Sequence, residues 1–470
     1  MFSNWTGNSD AAPAKSGGFP WTAFGANIHQ AGRPRRRAAL RRISAMDDGS
    51  IDVRRAARDA AYAMPLSEIN PADPEIFRTD TWAPYFERLR AEDPVHWAES
   101  AEEDIGGYWS VVKFNDIMTI DSDHARFSSE PTIVLPDPAE DFTLPMFIAM
   151  DPPKHDVQRK TVSPIVAGHN LTNLEPIIRE RAAKILDDCP IGVEFDWVDK
   201  VSIELTTMTL ATLFDFPWED RRKLTRWSDV ATAAPDSGIF DSTDPEAAEA
   251  QRRGELFECV DYFMRLWNER VNAPPKSDLI SMLCHGEATR DMDRMEYLGN
   301  LILLIVGGND TTRNTITGSV LALHQNPDQD AKLRENPELI PSMVSETIRW
   351  QTPLAYMRRT ALEDVEIGGK TIRKGDKVAM WYVSGNRDEE VIARPNDYVI
   401  DRERPRHHMS FGFGIHRCVG NRLAELQLKI IWEEILKRFP KIEVVGPPRH
   451  VYSSFVKGYE KLPVIIPTRN

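Results

Sequence analysis

Apolar residues recur three and four positions apart over 203–213, 249–271, 298–324 and 420–439, which predicts four long helices. Two short runs, 109–112 and 378–383, are rich in Val, Trp and Tyr and predict strands, the second after a Lys374-Gly375-Asp376 turn. From Ile69 onward the chain stays dense in apolar and aromatic residues, with no repeat and no linker-like stretch. The pattern predicts a mainly α fold with a small β part. Residues 1–45 differ: they are rich in Gly, Ala, Ser, Pro and Arg and lack apolar periodicity, so they read as a disordered basic extension to a single domain over 46–470.

Composition changes this picture little. At 470 residues, 41% hydrophobic and 28% charged, the chain is ordinary globular material. Its most apolar central stretch, 301–306, is far shorter than the roughly 20 residues that span a bilayer. Cys189, Cys259, Cys284 and Cys418 are widely separated, without a CxxC pair or zinc-like spacing, which points to a reducing, cytoplasmic setting. The net charge of −14 understates the acidity of the body, because the first 45 residues carry seven Lys and Arg against Asp10 alone. Such a body is a poor partner for nucleic acid.

The chemistry concentrates at Cys418, in Phe411-Gly412-Phe413-Gly414-Ile415-His416-Arg417-Cys418-Val419-Gly420. Glycines around a lone cysteine let the backbone take positive φ or pass close to something flat, and let N–H groups point at sulfur. His416 and Arg417 add positive charge expected to lower the thiol pKa. The reading is a thiolate ligand to iron; an ordinary buried cysteine would leave the surrounding pattern unexplained. The run resembles the haem-ligand loop of the cytochrome P450 superfamily, Phe-x-x-Gly-x-(Arg/His)-x-Cys-x-Gly, through Phe411, Gly414, His416, Cys418 and Gly420.

A second element agrees. Two adjacent glycines, Gly307 and Gly308, interrupt the predicted helix over 298–324, each costing about 1 kcal/mol relative to alanine. Close approach of a flat cofactor, or a widened hydrogen-bond ladder that admits Thr311 or a water, would justify them. Asp310 and Thr311 follow, supplying an acid and an alcohol for the protons that oxygen activation consumes. Together they match the superfamily's (Ala/Gly)-Gly-x-(Asp/Glu)-Thr motif.

The resemblance covers about 65–470 and implies the superfamily's fold, a triangular prism with haem b between a long central helix and the helix after the cysteine loop. It implies a structural triad of Glu346, Arg349 and Arg402, with Tyr398 standing where the family often has Phe. It implies haem propionate partners at His155, Arg159, Arg359 and His416, and cofactor contacts from Phe411, Gly412, Gly414 and Gly420. The implied reaction is insertion of one oxygen atom from O2 into a C–H bond.

The strings around Met146–Met150, Val306–Asn314 and Trp350–Arg359 look like the bacterial soluble terminal (ω-) hydroxylases of n-alkanes and fatty acids. Leu303, Val306, Gly307, Leu354 and Phe455 are the expected pocket walls for a medium- to long-chain aliphatic substrate. That group takes electrons from a 2Fe–2S ferredoxin and an NAD(P)H ferredoxin reductase, which would dock on Lys154, Lys160, Arg417 and Arg422; the enzyme is expected to be a monomer. Alternatives are hydroxylation of a terpenoid or alicyclic substrate, a peroxide-driven haem enzyme and a haem sensor without turnover. The last two leave Asp310-Thr311 idle.

Overall fold

The computed structural model describes residues 51–470 apart from 103, 235 and 236; the predicted basic extension over 1–45 lies outside them. The architecture grows around one helix, Arg294–Gln325, whose 32 residues run about 48 Å at 1.5 Å per residue. It begins four residues earlier than its apolar pattern predicts, because the Asp293 carboxylate accepts from the Met295 and Glu296 N–H groups and caps the first turn. Most of its residues are buried, as expected of a helix packed on all sides. Its neighbours are Glu204–Phe214, Arg222–Thr232, Pro245–Val271, Ile340–Gln351 and Asn421–Arg438.

The other predicted helices recur with shifted ends. Pro245–Val271 also starts four residues early, with Asp244 accepting from Ala247 N–H and Pro245 in the first turn. A π-helical stretch, Val198–Ile203, precedes Glu204–Phe214, which ends on Asp215 at φ 47°. Asn421–Arg438 follows Gly420 directly.

The two predicted strands are neighbours in a five-stranded sheet, ordered Val95–Glu99, Gly107–Val111, Lys377–Met380, Met357–Ala361, Phe127–Ser128. Gly107–Val111 and Lys377–Met380 run parallel, with Trp109 opposite Val378. The second strand stops at Met380, short of the predicted 383. Trp381 turns into an aromatic cluster with Phe77, Phe86 and Tyr356, and the chain follows it into the helical turn Tyr382–Gly385. A large helical hydrophobic core and two smaller clusters beside the sheet complete a mainly helical fold with minor β structure. Among the described residues, no helix is long and apolar enough to cross a membrane.

Candidate active site

The cysteine loop leads into Asn421–Arg438 and is shaped by two left-handed glycines, Gly412 at φ 66° and Gly414 at φ 63°. Gly420 has an ordinary φ of −89°; its contribution is room, since a Cβ there would meet nothing within 4 Å. Cys418 N–H donates to the Phe411 carbonyl at 2.8 Å and closes the loop. Cys418 is exposed, with its thiol set among the Gly420 and Asn421 N–H groups and the Arg159 and Arg417 side chains. Burial pushes the thiol up, against the Gly420 and Asn421 N–H groups and the Arg159 and Arg417 cations. This corrects the expectation of a thiol lowered by its neighbours: Arg417 and Arg159 do lower it, and burial outweighs them. A metal held by Cys418 would favour the thiolate form of this thiol.

Behind the loop, Glu346 is fully buried and grips Arg349 through two bonds of 2.7 and 2.8 Å and Arg402 through one of 2.8 Å. Arg349 also donates to the Asn386 carbonyl at 2.8 Å. Asn386 passes the restraint on, accepting from Met409 N–H and donating to Ser410 Oγ, both at 2.8 Å. The ion pairs thus reach the start of the cysteine loop through one amide side chain. Tyr398 keeps its hydroxyl satisfied against Thr347 Oγ1 at 2.6 Å.

His155 and Arg159 lie one turn apart on Lys154–Val162, and the His155 ring sits 4.2 Å from that of His416, centroid to centroid. His155 Nε2 and both ring nitrogens of His416 are buried without a hydrogen-bond partner. Burial, with the Arg359 cation, pushes the His416 imidazole down to about 2. Burial also lowers His155. Arg159 donates to the Arg417 carbonyl, beside Cys418. Arg359 donates to Asp121 Oδ1 at 2.7 Å and to the Arg358 carbonyl at 2.9 Å.

In the central helix the two glycines have different surroundings. A Cβ on Gly307 would meet nothing within 4 Å, whereas one on Gly308 would lie 2.6 Å from Leu210 Cδ2. Gly307 opens a space; Gly308 lets Glu204–Phe214 pack closely. Thr311 donates to the Gly307 carbonyl at 3.0 Å and stays on the open side. Asp310 faces the other way, fully buried, accepting from Ser228 at 2.9 Å and Thr232 at 3.4 Å and pairing with Arg313 at 3.1 Å. Arg313 also holds Asp229 at 2.6 Å. Acid and alcohol are therefore not side by side at the opening, because successive helical residues point about 100° apart. Burial raises the Asp310 carboxyl, with the Arg313 cation opposing.

Leu303, Val306, Leu354 and Phe455 are all half-buried. Leu303 and Val306 share a face with Gly307 and pack on the helical core. Phe455 belongs to a cluster beside the sheet, with its ring edge-on to Tyr356 at 5.4 Å. Ala355 N–H donates to the Phe455 carbonyl at 2.8 Å, and Leu354 bridges Val456, so Leu354 and Phe455 come together. The two sets of walls pack in separate clusters.

Comparison with known proteins agrees with this geometry. The family described as cytochrome P450 matches residues 239–451. Linalool 8-monooxygenase of Pseudomonas putida is 34% identical over 84% of this chain and 98% of its own length. A steroid C26-monooxygenase of Mycolicibacterium smegmatis is 34% identical over 79% of this chain and 87% of its own. Among solved structures, CYP153D17 from Sphingomonas sp. is 48% identical, with a TM-score of 0.77 over 84% of this chain and 97% of that one.

The chain belongs to the cytochrome P450 family.

As a P450 monooxygenase it uses haem b with a cysteine thiolate as axial ligand, and the residues present fit that group. Three partnerless imidazole nitrogens beside two guanidiniums, each carrying five donors, suit the two haem carboxylates. A Cβ on Gly420 of the cysteine loop or on Gly307 would meet nothing within 4 Å, so the backbone at both positions leaves room beside it for a flat ring. Sequence reasoning missed Arg313 and Asp121. Arg313 was detectable, as a charge three residues from Asp310 in a helix patterned for burial. Asp121, far from every motif, was not.

Proposed function

We propose that this P450 hydroxylates the terminal carbon of medium- to long-chain n-alkanes or fatty acids, with Cys418 as the axial ligand and His155, Arg159, Arg359 and His416 around the haem carboxylates. When bound, the haem supplies reductive activation of dioxygen, favoured by electron donation from the thiolate. The observation that carries the substrate class is the character of the open side of the central helix. Leu303, Val306 and Gly307 share it without a charged side chain, and the nearby acid, Asp310, is buried facing away. A hydrocarbon chain gains about 0.8 kcal/mol per buried CH2 in such surroundings. Terminal attack needs walls that present only the methyl end, an effect of orientation. Leu354 and Phe455, held together by the Ala355–Phe455 hydrogen bond, are the proposed outer wall.

Thr311 has its hydroxyl proton engaged by the Gly307 carbonyl, so its oxygen offers lone pairs to a protonated group in the open space. Asp310 lies on the far side, in contact with two hydroxyls and, through Arg313, with partly exposed Asp229. We assign it to proton supply, with rotation of its side chain as the required motion.

Electrons would come from an acidic 2Fe–2S ferredoxin and its NAD(P)H-dependent reductase. Lys160, Arg417 and Arg422 are exposed and form the basic half of that contact, while Lys154 is paired with Glu296 at 2.9 Å. His155, Asp156, Arg159, Lys160, Ser163 and Ile415 line an open hollow of about 330 Å³ on this side.

A second reading, hydroxylation of a terpenoid, is favoured by the match to linalool 8-monooxygenase over most of both chains. One experiment separates the two: reconstitution with ferredoxin, reductase and NAD(P)H on a ladder of alkanes, fatty acids and acyclic terpenoids, followed by location of the hydroxyl. Terminal alcohols from the linear substrates are expected. Mid-chain products, or turnover confined to terpenoids, would reject the terminal-hydroxylase reading.

A further inference from the structure

Asp121 lies in the last turn of the helix Phe114–Ser122, where a carboxylate meets the negative end of the helix dipole. Its side chain is 1% exposed, and such a buried charge is costly unless it is fully paired. Local structure therefore gives no reason for an acid here. The tertiary contacts do: Asp121 Oδ1 accepts from Arg359 at 2.7 Å, and Oδ2 accepts from Tyr382 OH at 2.7 Å and Phe413 N–H at 2.8 Å. Phe413 lies between the two left-handed glycines of the cysteine loop, and both press on Asp121. A Cβ on Gly414 would sit 2.6 Å from the Asp121 carbonyl oxygen, and one on Gly412 would sit 3.1 Å from Oδ2. The first turn of the loop is moulded on this one residue.

We propose that Asp121 is a positioning residue that also acts electrostatically. It fixes the cysteine loop through Phe413 and balances the Arg359 cation beside His416, thereby setting the reduction potential of the bound haem. The proposal rests on Cys418 being the axial ligand and on Arg359 lying at the haem carboxylates. Arg359 and Arg159 carry permanent positive charge in this cradle, and Asp121 is the acid bonded to Arg359. Without its charge, the uncompensated guanidinium favours the reduced haem, which carries one positive charge fewer.

The test is spectroelectrochemical titration of the haem-loaded full chain. Asp121→Asn should shift the midpoint potential upward, Arg359→Gln should shift it downward, and Tyr382→Phe, which removes a hydrogen bond but no charge, should leave it in place. All three should keep the thiolate-type ferrous–CO spectrum. An Asp121→Asn potential equal to that of Tyr382→Phe, whatever the loss of haem retention, overturns the electrostatic role and leaves the ligand assignment standing. If Asp121→Asn does not retain haem, Arg359→Gln decides: an unmoved potential there rejects the proposal. A wild-type protein without the thiolate-type spectrum would instead reject the Cys418 reading beneath it.

Discussion

The cysteine loop and the proposed substrate walls are built from different materials. On the cysteine side, Glu346, Arg349, Arg402, Asn386 and Asp121 bind segments far apart in sequence through charged or buried hydrogen bonds, most of them 2.7–2.8 Å long. Leu303, Val306, Leu354 and Phe455, the proposed walls, are half-buried and purely hydrocarbon. The first arrangement tolerates almost no substitution, since each buried polar group demands its partner. The second depends on shape and area, which several residues supply equally well. The reaction is encoded by obligatory contacts; substrate choice is encoded by contacts that permit drift.

If this contrast is sound, the largest effect comes from Cys418→Ser. It should abolish the thiolate-type ferrous–CO spectrum and NAD(P)H-driven hydroxylation; a variant that retained both would remove Cys418 from the proposed ligand role. Next is Glu346→Gln, which leaves the buried Arg349 and half-buried Arg402 guanidiniums without their carboxylate. A cost of about 3–5 kcal/mol is expected for breaking such a buried pair. Denaturant unfolding of the haem-loaded protein measures it, and a loss below about 1 kcal/mol, the range of an exposed pair, would contradict the rigidity claimed for this side.

The central helix gives a finer comparison within one element. Asp310→Asn should lower turnover on the order of 100-fold, as loss of a general acid does. Thr311→Ala should keep NAD(P)H consumption while less of it appears as hydroxylated product. Equal coupling in wild type and Thr311→Ala would show the hydroxyl to be a helix-backbone ligand only. Gly307 and Gly308 should part in stability. Alanine at Gly307 enters open space and should stabilise the apo-protein by about 0.5–1 kcal/mol. Alanine at Gly308 meets Leu210 and should destabilise it by about 1–3 kcal/mol. Thermal unfolding of both variants would show whether the pair serves one purpose or two.

The smallest effect belongs to the walls. Phe455→Ala should leave the haem spectrum intact and raise the share of subterminal alcohol. An unchanged product ratio from a dodecane or dodecanoate incubation would place the selective wall elsewhere.

Much of the cysteine side was legible in the sequence, because its groups come at fixed spacings within single elements. Glu346 and Arg349 are three apart on one helix, His155 and Arg159 four apart on another, and the loop glycines flank Cys418 within a few residues. Element ends were less legible: the capping residues Asp244 and Asp293 extend two helices by a turn beyond their apolar pattern. The direction of Asp310 was not legible at all. An Asp-Thr pair in sequence suggests one site, but the helix splays the two side chains and Ser228, Thr232 and Arg313 wait on the far face.

By itself, the sequence determined the fold class, the loop that carries Cys418 and the notch in the long helix, since local spacing and backbone conformation decide these. Only the tertiary structure decided that Asp121 braces the loop, that His416 is buried against His155, that Gly308 serves helix packing and that Asp310 faces Arg313. Each of these depends on groups distant in the chain and on how completely water is excluded around them, and neither is a property of any one segment.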